Sequence, residues 1–115
     1  MAVQCRAEIE AGVALVRVQG KLDVSSIADF RATLAALLAK REKLVVLDLS
    51  QTEVVDGQAL AALITYYRKL TLELGGKLVL SGLNPEIRQF LDRTSLSRVL
   101  PITTDTHQAL SEVRA

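Results

Sequence analysis

One cysteine, one histidine and no tryptophan stand among the 115 residues. A lone cysteine has no partner for an intrachain disulfide, which fits a reducing compartment. One Cys and one His also fall short of the roughly three or four ligands that a zinc site draws from those types, so no metal is expected. A dominant charge is missing too. Fourteen Lys and Arg against 13 Asp and Glu leave a net +1, without the basic excess that nucleic acid or an anionic membrane surface selects. No apolar run approaches the ~20 residues of a membrane-spanning helix. Met1-Ala2-Val3-Gln4-Cys5-Arg6 lacks the basic stretch and apolar core of a signal peptide. These absences predict a cytoplasmic protein that takes no cofactor. Aromatics are scarce, two Phe and two Tyr, although half the residues are apolar, so the core must be built from Leu, Val, Ile and Ala. The length suits one domain spanning 1–115.

What is present alternates between strand-like and helix-like segments. Val3 to Glu8 reads as an edge strand, and Val13 to Val18 (VALVRV) as its hairpin partner across Ala11-Gly12. The pattern breaks at Gly20-Lys21-Leu22-Asp23, and Ser25 or Ser26 can cap a helix to about Ala39 with Ile27, Phe30, Leu34, Leu37 and Leu38 buried. Lys40-Arg41-Glu42-Lys43 is a solvated corner. Leu44 to Leu49 (LVVLDL) has the continuous apolar run of a central strand. Ser50 to Val55 reads as a loop, and Asp56 caps a helix from Gly57 to about Leu74 with Leu60, Leu63, Ile64, Tyr67, Leu70 and Leu74 along its apolar stripe. Gly75-Gly76 stops that helix before the strand Lys77 to Ser81. Asn84-Pro85 opens a helix with Ile87, Phe90 and Leu91 inward. Arg98 to Ile102 suits a short last strand, and Thr104 or Asp105 begins a terminal helix carrying Ala109, Leu110 and Val113. The order β-β-α-β-α-β-α-β-α predicts an α/β fold with a mixed, partly parallel sheet of four to five strands and about four helices.

Few residues offer chemistry. A Cys5–His107 pair is formally possible, but Cys5 lies in a strand where an inert thiol is expected, and His107 in a short, exposed helix. No nucleophile elbow, Walker loop or dinucleotide fingerprint occurs. Gly75-Gly76-Lys77 follows a helix instead of opening one, unlike a phosphate loop. Asp23 and Asp56 fall at strand ends, where parallel sheets place functional groups and where an acid–base pair could be built. A turn residue and a helix cap are their plainer roles. The chain is expected not to be an enzyme.

The run VVLDLSQTEVVDGQALAAL, ending at Leu63, resembles the STAS family shared by sulphate transporters and anti-sigma factor antagonists. The family pattern is an apolar strand, a short loop ending in Asp, two small hydroxyl residues, Gly-Leu and a helix. Asp56 and Leu60 match the Asp and the Leu. Gly20-Lys21-Leu22-Asp23, Gly75-Gly76-Lys77-Leu78-Val79-Leu80 and Asn84-Pro85-Glu86-Ile87 match three further family features in order. The resemblance implies an antagonist that binds an anti-sigma factor, itself a serine kinase of the histidine-kinase-like ATPase type. Phosphorylation at the second position after the Asp would then break the complex by adding about −1.5 to −2 charge at the contact.

This sequence departs from that pattern. The position holds Gln58, which cannot be phosphorylated, with Gly57 before it and Ala59 in place of the family's Gly. Either Gln58 is drift at a helix start, or the protein is a constitutive antagonist or scaffold that is not switched at this site. Thr52, expected to be exposed, and Ser50 are the fallback hydroxyls. The expected partner surface is Asp23, Thr52, Val54, Asp56, Gln58 and Leu60. Val54 and Val55 either expose an apolar centre or form a buried staple under the helix. Tyr66 and Tyr67 are adjacent and cannot share a face, so at least one should be partly exposed. A STAS subunit docking on the ATPase of an ABC-type transport complex is the alternative, and it has no need of a hydroxyl at position 58.

Overall fold

A computed structural model describes residues 4–115. Strands β1 (Gln4–Glu10) and β2 (Val13–Leu22) form the expected antiparallel hairpin. Val3, expected in the first strand, lies outside the described residues. The chain continues as α1 (Ile27–Ala39), β3 (Leu44–Val55), α2 (Gly57–Leu74), β4 (Lys77–Ser81), α3 (Pro85–Arg93), a 3-10 turn at Leu96–Arg98, β5 (Ile102–Thr103) and α4 (Thr106–Arg114). The five strands lie in chain order, with β1 antiparallel and the rest parallel. Because β2 to β5 advance in one direction, right-handed crossovers put α1, α2 and α3 on one face. Their residues Phe30, Leu34, Leu63, Leu70, Ile87 and Leu91 share a buried cluster with Val16, Leu47 and Leu80 of the sheet. Among the described residues, the opposite face is covered by α4 alone. There Ala109 and Val113 pack on Val13, Val46 and Val79 near the amino ends of the strands.

Caps follow local chemistry. Asn84 accepts the Ile87 N–H at 2.8 Å, and Asp105 accepts the Gln108 N–H at 2.8 Å. Gly75 ends α2 in the left-handed region at φ 64°, and the Gly76 N–H closes the helix on Leu70 O at 2.9 Å.

Four elements differ from expectation. First, β2 does not stop at Val18. It runs to Leu22 and carries β3 with it to Val55, so Ser50–Val55 is strand and not loop. Beyond Asp48, β3 has lost β4 as a neighbour and pairs with β2 alone. It therefore carries polar residues that read locally as a turn. Second, the buried stripe of α2 is Ala59, Leu60, Leu63, Tyr66 and Leu70, while Ile64, Tyr67 and Leu74 are half-buried. The helix is wedged against both α1 and β4, which rotates its inner face toward Tyr66. Third, Ser26 holds the cap position of α1 without capping it. Its hydroxyl donates to Lys21 O at 2.6 Å instead. Fourth, Arg98 belongs to the 3-10 turn, and β5 is only Ile102–Thr103.

Candidate partner-binding site

The turns that follow β2 and β3 lie side by side at the carboxyl ends of these parallel strands. Leu22 is in register with Val55, and the Asp56 N–H donates to Leu22 O at 3.0 Å. Asp56 has extended backbone, and its Oδ1 accepts the Ala59 N–H at 2.9 Å. This satisfies one orphan donor of α2 and sets a carboxylate at the positive end of the helix dipole. Gly57 and Gln58 follow as the first two residues of α2, and both are exposed.

Asp23 closes the other turn. Its Oδ1 accepts the Ser25 hydroxyl at 2.5 Å and the Ser25 N–H at 3.0 Å. The Ser25 hydroxyl in particular holds the carboxyl below the usual range. Asp23 and Asp56 thus both sit at this edge, each occupied by a local backbone bond. Val24 is 66% exposed and Val54 39%, while Val55 packs against the core. Apolar surface therefore flanks the start of α2. It continues into an open cleft of about 320 Å³ between β3 and α3, lined by Glu53, Val54, Val55, Ile87, Phe90 and Arg93.

Three expected residues are placed differently. Thr52 is not exposed. It is 3% accessible, and its hydroxyl donates to Val18 O at 2.7 Å. The reason is a register shift between Arg17 and Gln19, which takes Val18 out of the β2–β3 pairing and leaves its carbonyl for the Thr52 side chain. Leu60 is 5% exposed and belongs to the core, so it supports the helix start from beneath. Ser50 is exposed, but it lies on β3 against Gly82, apart from the first turn of α2. Of the two tyrosines, Tyr67 is half-buried; Tyr66 is buried, its hydroxyl without a partner and its pKa raised by burial. The Cys5–His107 pair is not assembled. Cys5 packs toward α1, where burial raises its thiol pKa, while His107 is exposed on α4 across the sheet. No group of three metal-ligating side chains occurs among the described residues. Among the described residues, no helix is long and apolar enough to cross a membrane.

Val24 and Phe90 were not foreseen at this surface. Val24 directly follows Asp23 and stood out only as an apolar residue within a turn. Phe90 has helix-face spacing from Ile87 but sits at the edge of the buried face, half exposed to the cleft. Asn84, expected only as a cap, also donates to Thr52 O at 3.2 Å and Glu53 O at 3.1 Å, bracing the end of β3.

A mixed five-stranded sheet with three helices on one face matches the fold of solved structures, and a family model matches the chain as well. That model is the STAS domain, and it covers residues 4–109. The chain belongs to the STAS domain family. Among curated relatives, the anti-sigma F factor antagonist of Paenibacillus polymyxa is 28% identical over 114 residues, 98% of this chain and 97% of its own. Among solved structures, an anti-sigma factor antagonist from Mycobacterium paratuberculosis superposes with a TM-score of 0.90 at 26% identity, covering 98% of this chain and 95% of that one. The Bacillus cell fate determinant SpoIIAA in its phosphorylated form shares the fold, with a TM-score of 0.72 at 16% identity over 96% of this chain and 99% of its own.

Proposed function

We propose that this protein is an anti-sigma factor antagonist. It would grip a kinase-type anti-sigma factor in the cytoplasm through Asp23, Val24, Val54, Asp56 and Gln58, without itself catalysing a reaction. The observation that carries this reading is the first turn of α2, capped by Asp56 and exposed at Gln58 beside the 39% exposed Val54. It combines an apolar centre with a polar, hydrogen-bonding rim, as small transient interfaces do. The names of the Paenibacillus and Mycobacterium relatives support the same role.

Position 58 carries no hydroxyl, so the complex would not be switched there. The buried Thr52 hydroxyl is no ready substitute, because a kinase would have to pull it from its bond to Val18. The same absent hydroxyl is the observation that favours the second reading, a STAS subunit docking on the ATPase of an ABC-type transporter.

Gln58→Glu tests the proposal. A carboxylate in the first turn stabilises a helix by about 0.3–1 kcal/mol, so the variant should fold at least as well as the parent. Capture of the purified anti-sigma factor should nonetheless weaken about tenfold or more. Unchanged affinity would remove this patch from the contact, and capture of a transport ATPase in its place would establish the second reading. A phosphate found on Ser50 or Thr52 after incubation with the kinase and ATP would end the claim that the switch is absent.

A further inference from the structure

Strand β1 is the outer strand of the sheet and pairs only with β2, leaving one edge open among the described residues. Such edges are normally blunted by proline, charged side chains, a bulge or shortness. β1 has no proline and no bulge, and its three charges, Arg6, Glu8 and Glu10, are of mixed sign and can be matched by a second copy. It runs seven residues, QCRAEIE, in unbroken register with β2. Six of the seven are exposed, Ile9 at 49%.

We propose that two copies of this chain pair edge to edge through antiparallel β1 strands, about a two-fold axis at Ala7. Directly opposed residues in an antiparallel pair project to the same face, so for identical strands the axis must pass midway between one residue and the same residue of the second copy. Three centres keep most of the strand paired. Centring on Arg6 sets Arg6 against Arg6, and centring on Glu8 sets Glu8 against Glu8; like charges directly opposite destabilise a sheet. Centring on Ala7 sets Arg6 against Glu8 of the second copy, twice by symmetry. It also sets Cys5 against Ile9 and Gln4 against Glu10.

Within one chain, the surroundings favour that register. On the face away from α1, Arg6 lies opposite Arg17 of β2, and Arg17 faces Asp48 of β3 at 3.6 Å. Arg6 therefore has a like charge on its inner side, and neither it nor Glu8 forms an ion pair among the described residues. Glu8 of a second copy supplies the missing opposite charge. On the helix face, Ile9 gains the half-buried Cys5 as an apolar neighbour. Two short strands make a small interface, so the dimer is a weak one, with a dissociation constant of roughly micromolar to millimolar.

Sedimentation equilibrium of the full chain, at loadings up to roughly 1 mM, is the test. The parent should dimerise. Glu8→Arg or Arg6→Glu alone should weaken the dimer about tenfold or more, and the double reversal should restore it. In a Cys5→Ser background, Ala7→Cys should form a disulfide-linked dimer on mild oxidation, whereas Glu10→Cys should not. A parent that stays monomeric throughout overturns the proposal. So does a dimer indifferent to the single reversals, or equal cross-linking at positions 7 and 10. Protection of the β1 edge only by an extended peptide from another protein would overturn it as well. These outcomes are independent of the Gln58 patch, which shares no residue with β1.

Discussion

Thr52→Val removes one oxygen from the interior and little else. Valine keeps the β-branched shape and the strand preference of threonine, so the packing around a residue 3% exposed is retained. What is lost is the 2.7 Å bond to Val18 O. That carbonyl sits where the β2–β3 register slips, and Val18 itself is 1% exposed. Orphaning a buried acceptor costs about 1–3 kcal/mol, and the greater hydrophobicity of valine returns part of this. A net loss of about 1–2 kcal/mol is expected, or a fall in Tm of very roughly 4–10 °C for a domain of this size. Urea unfolding of parent and variant should show a lower midpoint at unchanged slope. A variant as stable as the parent would refute the assignment of Thr52 as a structural hydroxyl, and would return it to consideration as a phosphate acceptor.

Three further outcomes follow from single contacts. Tyr66→Phe deletes a buried hydroxyl that has no hydrogen-bond partner, so stability should hold or rise by up to about 1 kcal/mol; a clear loss by calorimetry would mean that the hydroxyl is satisfied. Gly82→Ala sets a Cβ 2.8 Å from that of Ser50 at a φ of +71°, and should cost about 1–3 kcal/mol in urea unfolding. Asp23 is held below its ordinary value of 3.8, chiefly by Ser25. Its contribution to stability is therefore present above that pH and lost as pH falls through the folded-state value. The stability gap between parent and Asp23→Asn should close on acidification; a gap that widens would contradict the assigned bond.

Much of this molecule is decided by residues acting locally. The alternation of apolar runs with capped amphipathic stretches, Asp56 before Gly57, Asn84 before Pro85 and Gly75-Gly76 after Leu74, sets the order of strands and helices, because period, cap and stop are properties of short segments. The identity of position 58 as a residue without a hydroxyl needs no structure at all. Tertiary contacts decide the rest. Ser50–Val55 becomes strand because β2 extends to meet it, and Thr52 is buried because a register slip frees a carbonyl 34 residues earlier in the chain. Tyr66, not Tyr67, turns inward because α2 lies between α1 and β4. Burial and long-range hydrogen bonding depend on which distant segment arrives as neighbour, and the open edge of β1 is likewise defined only once the sheet has formed.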